Sequence, residues 1–155
     1  MWVPPEDKDP TLLMAPTRKS VSLFGAVNIR KGTLVTQSEK EKFNAITFNN
    51  FLVRLLEYRP RGRKKMVIIL DNAKYHHAIA LHPFLKKHSR ILSLEFLPAY
   101  SPELNPIERV WKLTRKLCTH NTYFDHLDDI VKAVARQHEL WAGPNETLRK
   151  LCCIT

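Results

Sequence analysis

A chain of 155 residues with 44% hydrophobic content can build one domain around a buried core, and it holds no run of 18 apolar residues to span a membrane. Lysine and arginine outnumber aspartate and glutamate by 25 to 15, a net charge of +10, which favours a polyanionic partner. Three cysteines, at 118, 152 and 153, offer neither zinc-ligand spacing nor an even disulfide set, and no signal-peptide pattern opens the sequence, so the expected location is the reducing cytoplasm.

Residues 1–20 are polar, carry prolines at 4, 5, 10 and 16, and read as an extended loop anchored by Trp2. Segments 21–29 and 33–37 read as paired strands, with Lys31-Gly32 as the turn between them. Thr47 is the expected N-cap of an amphipathic helix. After it Phe48, Phe51, Leu52, Leu55 and Leu56 recur at i, i+3, i+4, i+7 and i+8 until Pro60 ends the pattern. The basic loop from Arg59 to Lys65 is either a solvated connection or a phosphate contact. The wholly apolar run at 66–70 is expected to be a strand buried on both faces, and it ends in Asp71-Asn72. Segment 74–89 reads as mostly helical, with Pro83 as a break or a new start, and 91–97 as the next strand. Asn105 caps a helix over 106–118, with Pro106 where a missing N–H costs nothing. Asp125 is the expected cap of a last helix bearing Leu127, Ile130, Val131, Val134 and Trp141 on one face. The order is β-β-α-β-α-β-α-α, without internal repeats.

Two carboxylates occupy positions suited to chemistry. Asp71 lies at the carboxyl end of a strand, where ligands collect in open α/β sheets. Glu108 falls in the first turn of a helix whose apolar stripe is Ile107, Val110, Trp111 and Thr114. It either completes a capping box with Asn105 or is an acid aimed by a rigid turn. Carboxylates are hard oxygen donors of the kind Mg²⁺ takes, and two such ions roughly 4 Å apart serve in-line phosphodiester displacement. Arg109, Lys112, Arg115 and Lys116 crowd the same helix, as a solvated face or as phosphate contacts. Asn72 and Asn105 read as turn and cap residues, and Trp111 as core.

Leu70-Asp71-Asn72-Ala73, His76, and the run Leu97-Pro98-Ala99-Tyr100-Ser101-Pro102-Glu103-Leu104-Asn105-Pro106-Ile107-Glu108-Arg109-Val110-Trp111 resemble the D-D-E transposases of the mariner-like superfamily, in particular the bacterial insertion-sequence branch. The resemblance runs from Trp2 to the helix after Phe124. It implies an α/β, RNase H-like mixed sheet with flanking helices, in one catalytic domain over 1–155. It makes Asp71 the second acid of the triad and Glu108 the third, both ligands of Mg (or Mn). Arg109, Lys112, Arg115 and Lys116 would contact DNA, with Asn72, His76 and Asn105 in support. His76 either orders the metal-site loop and meets substrate, or packs at a helix start. The implied partners are insertion-sequence ends and target DNA, and a second copy or a full-length transposase for co-assembly; no membrane is involved. The family's first aspartate lies before a tryptophan loop that is here Trp2-Val3-Pro4-Pro5, with only Met1 ahead of it. Asp7 and Asp9 fall on the wrong side of that tryptophan. The expectation is therefore an N-terminally truncated domain whose first, central strand and helix-turn-helix region are missing. It would be an incomplete enzyme, or a remnant that only binds DNA or intact transposase.

Overall fold

The computed structural model describes residues 22–39, 42–59, 62 and 64–153. The first hairpin forms as the turn signal requires. β1 (Ser22–Asn28) and β2 (Thr33–Glu39) pair antiparallel, from Ser22 opposite Glu39 to Asn28 opposite Thr33. Asn28 Oδ1 accepts the N–H groups of Arg30 and Lys31 at 3.0 and 3.1 Å, and Gly32 takes φ +66. A Cβ at Gly32 would strike the backbone around Asn145 and Arg149, so glycine also allows the hairpin to dock on the C-terminal segment.

α1 (Ala45–Glu57) starts three residues earlier than its apolar pattern suggests. The cap is Asn44, whose Oδ1 accepts from Ile46 and Thr47 N–H at 2.8 and 2.9 Å, while Thr47 Oγ1 accepts from Asn44 N–H at 3.0 Å. Thr47 is thus the reciprocating third residue of a capping box, not the cap. Phe48, Phe51, Leu52 and Leu55 are buried as the stripe predicts, against Phe24, Val35 and Leu81.

β3 (Met66–Leu70) pairs in parallel with β4 (Leu92–Phe96), and it is not buried on both faces. Met66, Ile68 and Leu70 pack under α1, but Val67 and Ile69 are 54% and 50% exposed. One helix covers one face, and no described element covers the other. The link between these strands is helical only in separate pieces, the last of which has Pro83 in its first turn as the sequence suggests. It is two 3₁₀ turns, Lys74–His77 and Ile79–Leu81, then α2 (His82–Lys87). Ala78, extended at ψ 133°, interrupts any continuous helix.

α3 (Pro106–Cys118) begins as expected on Asn105 and Pro106. α4 (Leu127–Leu140) has His126 at its cap position, without a side-chain bond. Asp125 does not cap it; Asp128 and Asp129 in the first turn meet the positive end of the helix instead. α5 (Glu146–Cys152) was not legible as a helix, being only 7 residues long. Asn145 caps it by accepting from Leu148 N–H at 3.0 Å. A second cluster joins Leu34, Val110, Trp141, Leu148 and Cys152. The hairpin separates the clusters, giving Phe24 and Val35 to the first and Leu34 to the second. No helix among the described residues is long and apolar enough to cross a membrane.

Candidate active site

Asp71 emerges directly from β3, and its carboxylate is held on one side only. Oδ1 accepts from Ala73 N–H at 3.2 Å and lies 3.0 Å from His76 Nδ1, which also sits 3.1 Å from the Asp71 carbonyl oxygen. Both of those oxygens are acceptors, so Nδ1 must carry the hydrogen. His76 is buried, with its ring 4.4 Å from the rings of Phe48 and of Tyr75. Burial pushes its pKa below the usual imidazole value despite the pull of the Asp71 carboxylate, so the ring is neutral. The same surroundings, burial first and the Asp71 charge second, push the Tyr75 phenol up. His76 therefore packs in the core and orients the acid at once. The Asp71 side chain stays 59% exposed, and its Oδ2 has no partner among the described residues.

Asn72 fastens this loop to the next one. Leu97 N–H donates to the Leu70 carbonyl at 2.8 Å, and Asn72 Nδ2 donates to the Leu97 carbonyl at 2.5 Å. His77, 3.2 Å from Asn72 Oδ1 through Nε2, stacks on Phe96 with centroids 4.2 Å apart.

From Leu97 the chain turns through Tyr100, at φ +58, into a 3₁₀ turn over Pro102–Leu104. Buried Asn105 donates its N–H to the Pro102 carbonyl at 3.0 Å, while its side chain accepts from Ile107 N–H at 3.4 Å. That settles the first ambiguity at Glu108. A capping box would need the Asn105 N–H, which is already taken, so the Glu108 carboxylate is free of it and exposed. Asp71 and Glu108 line one cavity of about 160 Å³, with Asn72, Tyr100 and Asn105 on its wall.

The helix bearing Glu108 is fixed by contacts that the apolar stripe only partly signals. Trp111 lies over Gly25 of β1 so closely that any Cβ there would overlap its ring. A lone glycine inside a strand pattern is a sign of such an approach. Val110 is fully buried, and Thr114 Oγ1 lies 3.2 Å from Nε2 of buried His138, whose pKa burial lowers. Arg109 turns inward: its guanidinium donates to the Leu151 and Cys153 carbonyls, each at 3.1 Å, and closes the end of α5. Lys112, Arg115 and Lys116 are exposed, and Lys112 and Arg115 follow Glu108 at i+4 and i+7 on one face.

Two exposed carboxylates with free oxygens are hard donors of the type Mg²⁺ or Mn²⁺ accepts alongside water. Among the described residues no group of three or more histidine, cysteine, aspartate or glutamate side chains gathers as a metal cluster. Trp2, Asp7 and Asp9, and residues 60, 61 and 63 of the basic loop, lie outside the described residues.

The family described as DDE superfamily endonuclease matches residues 1–131. The chain belongs to that family. As a DDE superfamily endonuclease it shares its fold with solved mariner transposase assemblies at 21–23% identity over 98% of this chain. They are the Mos1 strand transfer complex (TM-score 0.65), the Mos1 paired-end complex with left transposon end (0.68) and the Mos1 mariner paired end complex with Mn (0.69). The chain covers 44–46% of the length of those proteins. A stretch of 65 residues, 42% of this chain and 44% of its relative, is 46% identical to the uncharacterized protein y4pE/y4sA of Sinorhizobium fredii (strain NBRC 101917 / NGR234).

Proposed function

We propose that this chain is the catalytic-domain portion of a DNA transposase, acting on insertion-sequence ends and target DNA by Mg- or Mn-dependent phosphodiester cleavage and strand transfer. The observation that carries the reading is the meeting of Asp71 and Glu108, 37 positions apart (108 − 71) and on different elements, at one cavity. Divalent ions bound there would activate the attacking water or 3′-hydroxyl and neutralise the leaving oxyanion. The free Oδ2 of Asp71 and the carboxylate of Glu108 would hold these ions. His76 holds Asp71 by its other oxygen, a division of labour known to orient metal ligands. Asn72 ties the Asp71 loop to the chain leading to Glu108, and Asn105 sets the helix that carries Glu108. Lys112 and Arg115, extending about 10 Å along α3 from Glu108, and Lys116 beside them hold the flanking phosphates. Arg109 supports that face from within.

We read the two sheets as the flanks of one RNase H-like mixed sheet. Each has two strands among the described residues, and Phe24 of β1 and Ile68 of β3 meet in the same cluster without their strands being hydrogen-bonded. A first, central strand between β1 and β3 would pair their edges and bring the triad's first acid. That strand and the helix-turn-helix that selects element ends would come from outside the described residues. The second reading is a remnant that binds DNA or associates with intact transposase without catalysis.

Strand cleavage of supercoiled plasmid with Mg²⁺ or Mn²⁺ tests the proposal. The chain alone should be inactive, and a longer chain carrying the upstream segment should cleave and lose activity on Glu108→Ala. Inactivity of both would favour the remnant. Activity of the chain alone, abolished by Glu108→Ala, would promote Asp7 or Asp9 to the vacant position.

A further inference from the structure

The rim of the cavity carries a side chain that the acids do not use. Tyr100 is one of two non-glycine residues with positive φ among those described, at +58; the other is Asn121, whose short amide suits that region. A bulky aromatic residue does not suit it. Glycine would make the same turn without strain, and the ring gains no packing in exchange, since Tyr100 is 102% exposed. Other surface aromatics differ: Tyr58 and Tyr123 are 52% and 46% exposed, and Phe96 is covered on one side by His77. Backbone strain and an unpacked ring thus coincide at one residue, on the wall of the cavity lined by Asp71 and Glu108. Strain that the fold does not use collects at sites where it positions something.

We propose that Tyr100 is a stacking platform for an unpaired nucleobase of the DNA whose phosphate lies at the Asp71–Glu108 cavity. The inference rests on the DNA reading above. Inside a duplex each base face is covered by its neighbours, so a free face exists only on a strand end, a single strand or an extruded nucleotide. The ring stands wholly clear of the protein and can take such a face, while Lys112 and Arg115 take neighbouring phosphates. Pro98 and Pro102 bracket the turn, each with its own φ fixed by its ring. Every base has a π-face, so the platform adds grip and position without sequence choice. Tyr100 is a binding residue here, not an acid or a base.

The test uses the whole chain and a DNA with one 2-aminopurine in a single-stranded 3′ overhang, against a fully paired duplex of the same length. Anisotropy reports binding and 2-aminopurine quenching reports stacking. The wild-type chain and Tyr100→Phe should quench the probe on binding. Tyr100→Gly relieves the positive φ, so it should fold with no loss of melting temperature, yet quenching should disappear. The ratio of overhang to duplex affinity should fall roughly fivefold or more. Full quenching by Tyr100→Gly overturns the platform and leaves the DNA reading standing. Failure of the wild-type chain to bind either DNA overturns both.

Discussion

The two halves of the candidate site are supported very differently. Glu108 stands on a helix of 13 residues that packs against the hairpin, α4 and α5, with Val110, Trp141 and Leu148 enclosed between them. Asp71 ends a strand of 5 residues with one face under α1 and the other, Val67 and Ile69, in water. Glu108 is held by apolar packing on several sides. Asp71 is held by packing on one side and by polar fastenings, His76 to its carboxylate and Asn72 to Leu97. Apolar enclosure resists opening more strongly than exposed hydrogen bonds do. Amide hydrogen exchange should therefore be faster in β3 than in α3, and equal protection would erase the contrast.

The largest effects should come from emptying the enclosed half. Leu148→Ala removes a fully buried side chain and should cost about 2–5 kcal/mol by denaturant unfolding. A cost under about 1 kcal/mol would mean that α5 does not brace α3. Gly25→Ala should cost less, about 1–3 kcal/mol, because the new methyl group must displace the Trp111 ring. Its tryptophan fluorescence should shift; an unshifted spectrum at wild-type stability would contradict the close approach.

The fastened half should respond in function more than in stability. His76→Phe keeps an aromatic ring between Phe48 and Tyr75 but removes the donor to Asp71. Mn²⁺ affinity should drop roughly 10–100-fold, the usual effect of losing a residue that orients a ligand, with a modest change in melting temperature. Unchanged affinity would reduce His76 to a packing residue.

The smallest effect expected is on pH dependence, and it spans both halves. His76 and His138 are each held below the ordinary histidine value of 6.5, mainly by burial. The unfolded chain then binds protons that the folded chain refuses. Their contribution to stability is complete above pH 6.5 and is lost as pH falls from there toward the lower folded values. Melting temperatures should decline on acidification below 6.5, and His138→Phe should flatten that decline. A decline of the same steepness in the variant would remove His138 from the account.

How much of this was legible in the sequence follows the same division. α1 and α3 can be read because each repeats its apolar residues over eight or nine positions within a helix of 13 residues, and the Asn105-Pro106 start is a local signal. The hairpin could be read because Gly32 marks its turn. Thr47 reads as the cap because a capping box has hydroxyl and amide groups at both ends, and only geometry tells which one stands outside the helix. The 66–70 run looked buried on both faces because apolarity reports a preference for burial, not the presence of a covering element. α5 escaped because two turns leave too few apolar positions to set a period, and Arg109 escaped with it. The acids themselves were placed correctly at a strand end and a first helical turn. That they line one cavity follows from long-range contacts such as the Asn72–Leu97 hydrogen bond, which no local pattern carries.

The central claim is that Asp71 and Glu108 serve one divalent-metal site. It is tested most directly by Mn²⁺ titration, followed by electron paramagnetic resonance, of the wild-type chain, Asp71→Asn, Glu108→Gln and the double variant. The account predicts that each single substitution weakens Mn²⁺ binding. The double variant should bind scarcely more weakly than the weaker single, because the two losses fall on the same ions and do not add. Unchanged binding in either single variant, or two losses that simply sum, would show that the carboxylates do not share a site.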